Sequence, residues 1–293
     1  MRSLLFVPGN SAKMIAKAEA SGADVIILDL EDAVHPDARP EARRIVVESV
    51  KHRKGDVPER YVRVNSLGTT FCPDDIEAVI PASPDGIVLP KSTGPEDVTR
   101  LGELITRFEP ASRKGMTKII VVCTETASST LSLAAKPWAH PRLAGLMWGG
   151  EDLSAAIGAT ANRDDHGHYT GPFLLARNLC LLAARAANVM PIDAVYTDFR
   201  DSEGLSREAN AARRDGFSAK VAIHPAQIDI INRSFTPTEA ERAWAQRVID
   251  AFSANKGVVQ LDGVMLDAPH LAQARRIMTS LGAHGSAQRS PHR

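Results

Sequence analysis

The stretch Asp24–Val34, DVIILDLEDAV, decides the fold. Its apolar run Val25–Leu28 shows no alternation, the pattern of a strand buried on both faces and therefore of a parallel sheet covered by helices. The run then turns acidic at Asp29, Glu31 and Asp32. In an α/β barrel the carboxyl ends of the strands carry the chemistry, so an acidic strand end is a candidate site.

Working outward, similar short runs occur at Leu4–Val7, Tyr61–Asn65, Gly86–Pro90, Lys118–Cys123, Ala144–Trp148, Ile192–Tyr196 and Val221–His224. Helix-patterned stretches separate them: Ser11–Ser21, Pro40–His52, Asp74–Ile80, Pro95–Phe108, Ser128–Ala134, Gly171–Ala187, Ser206–Asp215 and Pro225–Ser234. Strand and helix alternating in this way predict a single (β/α)8 TIM barrel over residues 1–235. A doubly wound nucleotide-binding sheet is disfavoured, because the first turn, VPGNSAKM (7–14), lacks GxGxxG. Residues 236–282 read as a C-terminal helical extension and lid, with one helix over Glu239–Phe252, then a turn and a second helix. The polar end, 283–293, reads as a disordered tail.

Composition narrows the function classes. The 293 residues are 44% hydrophobic, enough for a full core, and the formal net charge is zero, so no global field favours nucleic acid or a membrane surface. No apolar run reaches transmembrane length, and Pro8-Gly9 breaks the N-terminal run too early for a signal peptide. The three cysteines, Cys72, Cys123 and Cys180, are widely spaced without CxxC, which fits a reducing, cytoplasmic compartment. Cys123, inside IIVVC, reads as core.

The strand ends are polar throughout: Asp29, Glu31 and Asp32 after the second strand, Arg63 and Asn65 after the third, and Lys91 after the fourth. Glu125 follows the fifth, Gly149, Gly150, Glu151 and Asp152 the sixth, Asp198 and Asp201 the seventh, and His224 the eighth. Carboxylates converging on one rim repel one another unless a cation sits among them. Oxygen ligands without a His or Cys cluster suit Mg²⁺, which takes one or two carboxylates and keeps water or substrate oxygens. Glu125 and Asp152, on neighbouring strands, are the direct ligands on this reading, with Asp29, Glu31 and Asp32 holding metal-bound waters. The alternative for Asp32 and Asp152 is helix capping. Arg63 either grips a substrate carboxylate or enolate oxygen, or pairs with Glu31 or Asp32. Gly149 and Gly150 either admit a ligand close to the backbone or form a tight turn. His224 reads as a buried histidine satisfied by a carboxylate, Lys91 as a charge partner for substrate or the acidic rim, and Lys220 as structural.

The motifs RSLLFVPGN (2–10), DVIILDLEDAV, EARRIV (41–46), YVRVN (61–65), GIVLPK (86–91), TETA (124–127), GGEDL (149–153), AIHPAQI (222–228) and LDGVMLDAPHLAQA (261–274) appear in order. Together they resemble the citrate lyase β-subunit-like, or malyl-CoA lyase, family of CoA-ester lyases, within the superfamily of keto-acid aldolases and phosphoenolpyruvate-using barrels. The resemblance implies Mg²⁺ on Glu125 and Asp152, and Arg63 on the substrate oxygens. It further implies Arg2 and Lys13 near the CoA phosphates, and Asp267, on a lid from a neighbouring subunit, as the group that handles the proton on the acetyl carbon. The implied reaction is cleavage or formation of a malyl-CoA-like 3-hydroxyacyl-CoA, giving a 2-keto acid and acetyl-CoA, in a homotrimer or a multiple of one. Alternatives are a malyl-CoA thioesterase, a citrate lyase β subunit acting on a carrier-bound citryl thioester, and a non-catalytic CoA-binding regulator. Asp267 also suits a helix N-cap, and Ala219 stands where the family often has glycine before Lys220.

Overall fold

The computed structural model describes residues 1–53, 58–254 and 257–282. Residues Arg2–Asn232 form one compact unit, and the chain from Arg233 onward belongs to a second. The expected tail at 283–293 lies outside the described residues.

In the first unit, strands β1 (Ser3–Pro8), β2 (Val25–Asp29), β3 (Glu59–Arg63), β4 (Gly86–Leu89), β5 (Lys118–Val122), β6 (Leu143–Met147), β7 (Met190–Asp193) and β8 (Ala219–Ala222) close into a barrel in sequence order. Every ladder is parallel, and β1 pairs with both β2 and β8. This is the expected (β/α)8 barrel. β2 and β4 are buried along their whole length, as apolar runs without alternation require. Around the barrel lie α1 (Ala12–Glu19), α2 (Arg39–Lys51), α3 (Phe71–Val79), α4 (Glu96–Phe108), α5 (Ala127–Ala135), α6 (Glu151–Ile157), α7 (Gly171–Ala186) and α8 (Ser202–Asp215), followed by α9 (Ile228–Phe235).

The last two strands start earlier than the apolar patterning suggests. Expected at Ile192–Tyr196 and Val221–His224, they run Met190–Asp193 and Ala219–Ala222. Pro191 stays in the ladder because only its carbonyl is used, accepting from Ser218 N at 3.0 Å. Ile223 and His224 leave the ladder because both their N–H groups donate to Gln227 Oε1, at 2.8 and 3.1 Å. Likewise α8 begins at Ser202 rather than Ser206, since Asp201 caps it by accepting from Gly204 N at 2.8 Å.

The second unit contains α10 (Glu239–Ala254), β9 (Val259–Leu261), β10 (Val264–Leu266) and α11 (Ala268–Gly282). The segment read as a turn is an antiparallel hairpin. Asp262 and Gly263, with φ of 52° and 81°, supply the left-handed pair that a two-residue hairpin loop needs. Ala245, Val248, Val259, Leu266 and Ala274 form a core belonging to this unit.

Close approach inside the barrel makes one glycine obligatory. Gly86 on β4 faces Tyr61 on β3, and a Cβ there would drive into the phenol ring. Gly86→Ala is expected to lower stability by about 1–3 kcal/mol through overpacking, measured by urea unfolding against wild type.

Candidate active site

The carboxyl ends of the strands surround a cavity of about 450 Å³. Asp29, which ends β2, organises its polar side. The Asp29 carboxylate accepts from Glu31 N at 3.0 Å and Ala33 N at 3.1 Å, which shapes the loop after β2. It also takes Arg63 Nε and Nη2, both at 2.7 Å, a two-pronged charged pair. Arg63 Nη1 lies 3.2 Å from Glu31 Oε2, and the guanidinium rests 4.6 Å from the Phe6 ring centroid. Arg63 thus pairs chiefly with Asp29 and secondarily with Glu31, and it still lines the cavity. Burial opposes its charge, but the bonds from Asp29 and the charges of Asp29, Glu31 and Glu125 hold its pKa above the ordinary value.

Glu125 is 5% exposed. Burial, reinforced by the charges of Asp152 and Glu31, pushes its pKa up to about 8 against an opposing bond from Lys91 N. Burial also raises the Glu31 pKa, with Asp32 adding to the rise and Arg63 and Lys91 opposing it. Lys91 answers this concentration of acids. Its Nζ lies 2.7 Å from Glu31, 2.9 Å from Asp32 and 3.6 Å from Asp152, and its backbone N–H donates to Glu125 Oε2. Its φ of 49° is left-handed, a strained conformation for lysine and one placed at the site itself.

The alternative of helix capping by Asp32 and Asp152 is not what forms. Asp152 stands in the first turn of α6, whose N-cap is Gly150 with no side-chain cap bond. Asp32 is exposed and precedes no helix directly. Gly149 and Gly150 lie in close packing. A Cβ at Gly149 would lie 3.2 Å from Val122 Cγ1 and 3.3 Å from Glu125 Cγ, and one at Gly150 would lie 3.2 Å from Trp148 Cζ3. Both glycines line the cavity, as does Glu151, whose Oε1 accepts from Asn162 Nδ2 at 2.9 Å.

This donor set fits a hard divalent cation. The charge of Asp152 raises the cost of ionising Glu125, and buried Glu31 Oε2 has no hydrogen-bond donor, Arg63 being close but not aligned. Among the described residues no group of three or more His, Cys, Asp or Glu forms a ready metal cage. Two carboxylates with ligand oxygens completing the shell is the coordination Mg²⁺ favours.

A family model for HpcH/HpaI aldolase/citrate lyase matches residues 2–225. The chain belongs to this family. Its relatives include a mitochondrial citramalyl-CoA lyase of Rattus norvegicus, 33% identical over 95% of this chain and 85% of that protein. A (3S)-malyl-CoA thioesterase of Cereibacter sphaeroides is 35% identical over 96% of this chain and 95% of the relative. Among solved structures, protein CitE of Mycobacterium tuberculosis in complex with magnesium, acetoacetate and coenzyme A shares 34% identity with a TM-score of 0.78. That match covers 96% of this chain and 98% of the other. The family is one of carbon–carbon lyases, as the motifs implied.

Not every residue that the family resemblance suggested reaches the rim. Arg2 lies before β1, at the opposite end of the barrel from the cavity, and its guanidinium pairs with Asp24 at 2.9 Å. Lys13 is exposed in the first turn of α1, which follows the rim end of β1. His224 is neither buried nor paired with a carboxylate. It is exposed, caps a short 3₁₀ turn by accepting from Ala226 N at 3.2 Å, and stacks on Phe199 at 4.7 Å. Lys220 is structural as read, fully buried between Asp193 and Glu208. Asp267 lies in the second unit and bonds His270 Nδ1 at 2.6 Å. Phe6, Val122, Met147, Trp148, Val195 and Ile223 also line the cavity, apolar residues that the polar strand-end pattern does not select. Trp148 stands directly before Gly149 at the end of β6, so the strand-end rule contained the signal.

The Glu125 shift fixes a pH dependence. Between the ordinary value of 4.5 and about 8 the folded protein keeps a proton that the unfolded chain has released. Stability of the chelator-treated protein attributable to Glu125 is therefore present at low pH and lost as pH rises from about 5 to 8, at most about 1.4 kcal/mol per pH unit. Subtracting the Glu125→Gln curve from wild type in urea unfolding isolates this slope; parallel curves would contradict it.

Proposed function

We propose that this chain is a magnesium-dependent carbon–carbon lyase that cleaves, or forms, a malyl-CoA-like 3-hydroxyacyl-CoA to give a 2-keto acid and acetyl-CoA. The observation that carries the reading is that Glu125, Asp152 and Arg63 line one cavity at the carboxyl ends of the strands. CitE of M. tuberculosis, solved with magnesium, acetoacetate and coenzyme A, supports both the ion and the ligand class.

Glu125 and Asp152 would hold Mg²⁺, which supplies Lewis acidity to the substrate hydroxyl and carboxylate oxygens. Asp29 holds Arg63 in a single orientation before the substrate arrives, so its charge is preorganised where the thioester enolate oxygen develops. Lys91 and Arg63 keep Glu31 and Asp29 neutralised, and a dianionic ligand does not meet an uncompensated acidic wall. As the C–C bond breaks, the hydroxyl oxygen releases its proton to solvent and becomes the keto oxygen, and the electrons of the broken bond pass to the enolate. Asp267, supplied by a neighbouring subunit of a trimer or a multiple of one, returns a proton to the acetyl carbon; in the forward condensation it removes that proton. His270, 2.6 Å away, fixes the Asp267 carboxylate. Lys13 is the proposed contact for the CoA phosphates, and the cytoplasm the proposed compartment.

A second reading, hydrolysis of the malyl thioester, is favoured by the 35% identity to the C. sphaeroides thioesterase. Product analysis separates the two: keto acid plus acetyl-CoA supports the lyase, and free malate supports the thioesterase.

Arg63→Ala is expected to lower kcat by roughly 10²–10³-fold with folding intact by circular dichroism. EDTA should abolish turnover of malyl-, methylmalyl-, citramalyl- and citryl-CoA, and added Mg²⁺ restore it. Wild-type rates in Arg63→Ala would sink the assignment. Asp267→Ala should block deuterium exchange into acetyl-CoA, and mixing it with Arg63→Ala should regain activity if the two residues serve one site from different subunits.

A further inference from the structure

Past the ends of β5 and β6, the two strands are still joined where Cys123 N donates to Met147 O at 2.8 Å. The next link is a side chain. Thr124 is fully buried, and its hydroxyl donates to Gly149 O at 3.0 Å while accepting from Gly149 N at 2.8 Å. One hydroxyl thereby holds both backbone polar groups of a single residue, where the parallel ladder would otherwise end.

This tie lies between two carboxylates that line the cavity. Glu125 follows Thr124 directly, and only Gly150 and Glu151 separate Gly149 from Asp152 in the first turn of α6. Gly149 also lies against the Glu125 side chain, so close that a Cβ there would stand 3.3 Å from Glu125 Cγ. On the other flank, Thr126 Oγ1 donates to Ser92 O at 2.9 Å, next to Lys91, whose backbone N–H meets Glu125 Oε2. Glu125 thus has a hydroxyl tie on each side, one to the loop after β6 and one to the loop after β4. The Thr124 hydroxyl is engaged by Gly149, so it acts on a bound ion only through the carboxylates it sets in place.

We infer that Thr124 is a positioning residue of the divalent-cation site: by binding Gly149 it fixes the span between the Glu125 and Asp152 carboxylates, and with that span the preference for a small ion. The inference rests on the magnesium reading proposed above. Mg²⁺ requires near-octahedral oxygens at about 2.0–2.1 Å, whereas Ca²⁺ accepts oxygens at about 2.3–2.6 Å in looser geometry. A span held fixed favours the first ion, and a loosened span costs it more than the second.

The test is calorimetric titration of the full-length, metal-free protein with Mg²⁺ alone and with Ca²⁺ alone, without substrate. Thr124→Val, which keeps the shape and loses both bonds, should weaken Mg²⁺ binding by roughly 10–100-fold, the usual effect of removing a group that orients a metal ligand. It should weaken Ca²⁺ binding less, so the Mg²⁺-to-Ca²⁺ affinity ratio falls. Thr124→Ser, which keeps the hydroxyl, should retain both affinities and the ratio. A lower urea midpoint in Thr124→Val with unchanged Mg²⁺ affinity would make Thr124 a purely structural residue and overturn the inference. Equal losses for the two ions would overturn the role in spacing. Should Thr124→Val fail to fold, Gly149→Ala reads the same span from the other partner. Its Cβ presses on the Glu125 stem, so the ratio should fall likewise, and an unchanged ratio would again overturn the inference. A wild type that binds no Mg²⁺ overturns the magnesium reading and this inference with it, whereas wild-type binding that Thr124→Val leaves intact overturns this inference alone. A fallen ratio in a protein that cleaves no malyl thioester supports the positioning role and rejects the lyase.

Discussion

The paired hydrogen bonds between Asp29 and Arg63 are the contact on which the site geometry rests. One carboxylate engages the guanidinium through two nitrogens and, through the N–H groups of Glu31 and Ala33, also folds the loop that presents Glu31 and Asp32. The two strands are joined again just beyond, where Leu30 N donates to Arg63 O at 2.9 Å. Asn65 Nδ2 ties Leu30 O at 3.0 Å and buried Asp75 at 2.7 Å. A guanidinium left unpaired at this depth would carry a large desolvation cost. Fixed by Asp29, it is a permanent positive wall that needs no rearrangement when negative charge appears in front of it.

The balance of charge around that pair explains why the remaining acids can coexist. Glu31 and Glu125 are both buried, and both favour the protonated form relative to a free carboxylate. Lys91 offsets part of this with its ammonium and, through a strained backbone, turns its own N–H onto Glu125. The rim is thus a set of carboxylates in which Asp29 is fully engaged while Glu125 and Asp152 are not. That asymmetry separates a residue that orients Arg63 from residues with lone pairs to spare for a cation. Asp29, expected to hold metal-bound water, has its oxygens engaged by Arg63 and two backbone donors.

The cavity also has apolar lining, and a buried ion cluster lies near the sixth and seventh strands. Asp193, Lys220, Arg177 and Glu208 form this cluster, which Trp148 Nε1–H joins by donating to Asp193 Oδ1 and Lys220 Nζ extends to Ala194 O. Carboxylates, a guanidinium and apolar side chains together line this cavity.

The barrel was determined by the sequence, because unalternating apolar runs such as Val25–Leu28 are stable only with both faces covered, and the polar residues after them can lie only at the open ends. Glu125, Asp152, Arg63 and Lys91 were legible for the same reason. Partner choice was decided only by tertiary structure. Several acids lie within reach of Arg63 in the chain pattern, and the register of β2 against β3, which sets Asp29 opposite Arg63, selects one. The same holds for Arg2, whose charge suggests a phosphate but whose position before β1 sets it at the wrong end. Gln227, by capturing two N–H groups, ends β8 ahead of His224, so that an expected core histidine becomes a surface cap. Each outcome depends on hydrogen-bond partners distant in sequence, and such partners are set by register and loop closure rather than by local pattern.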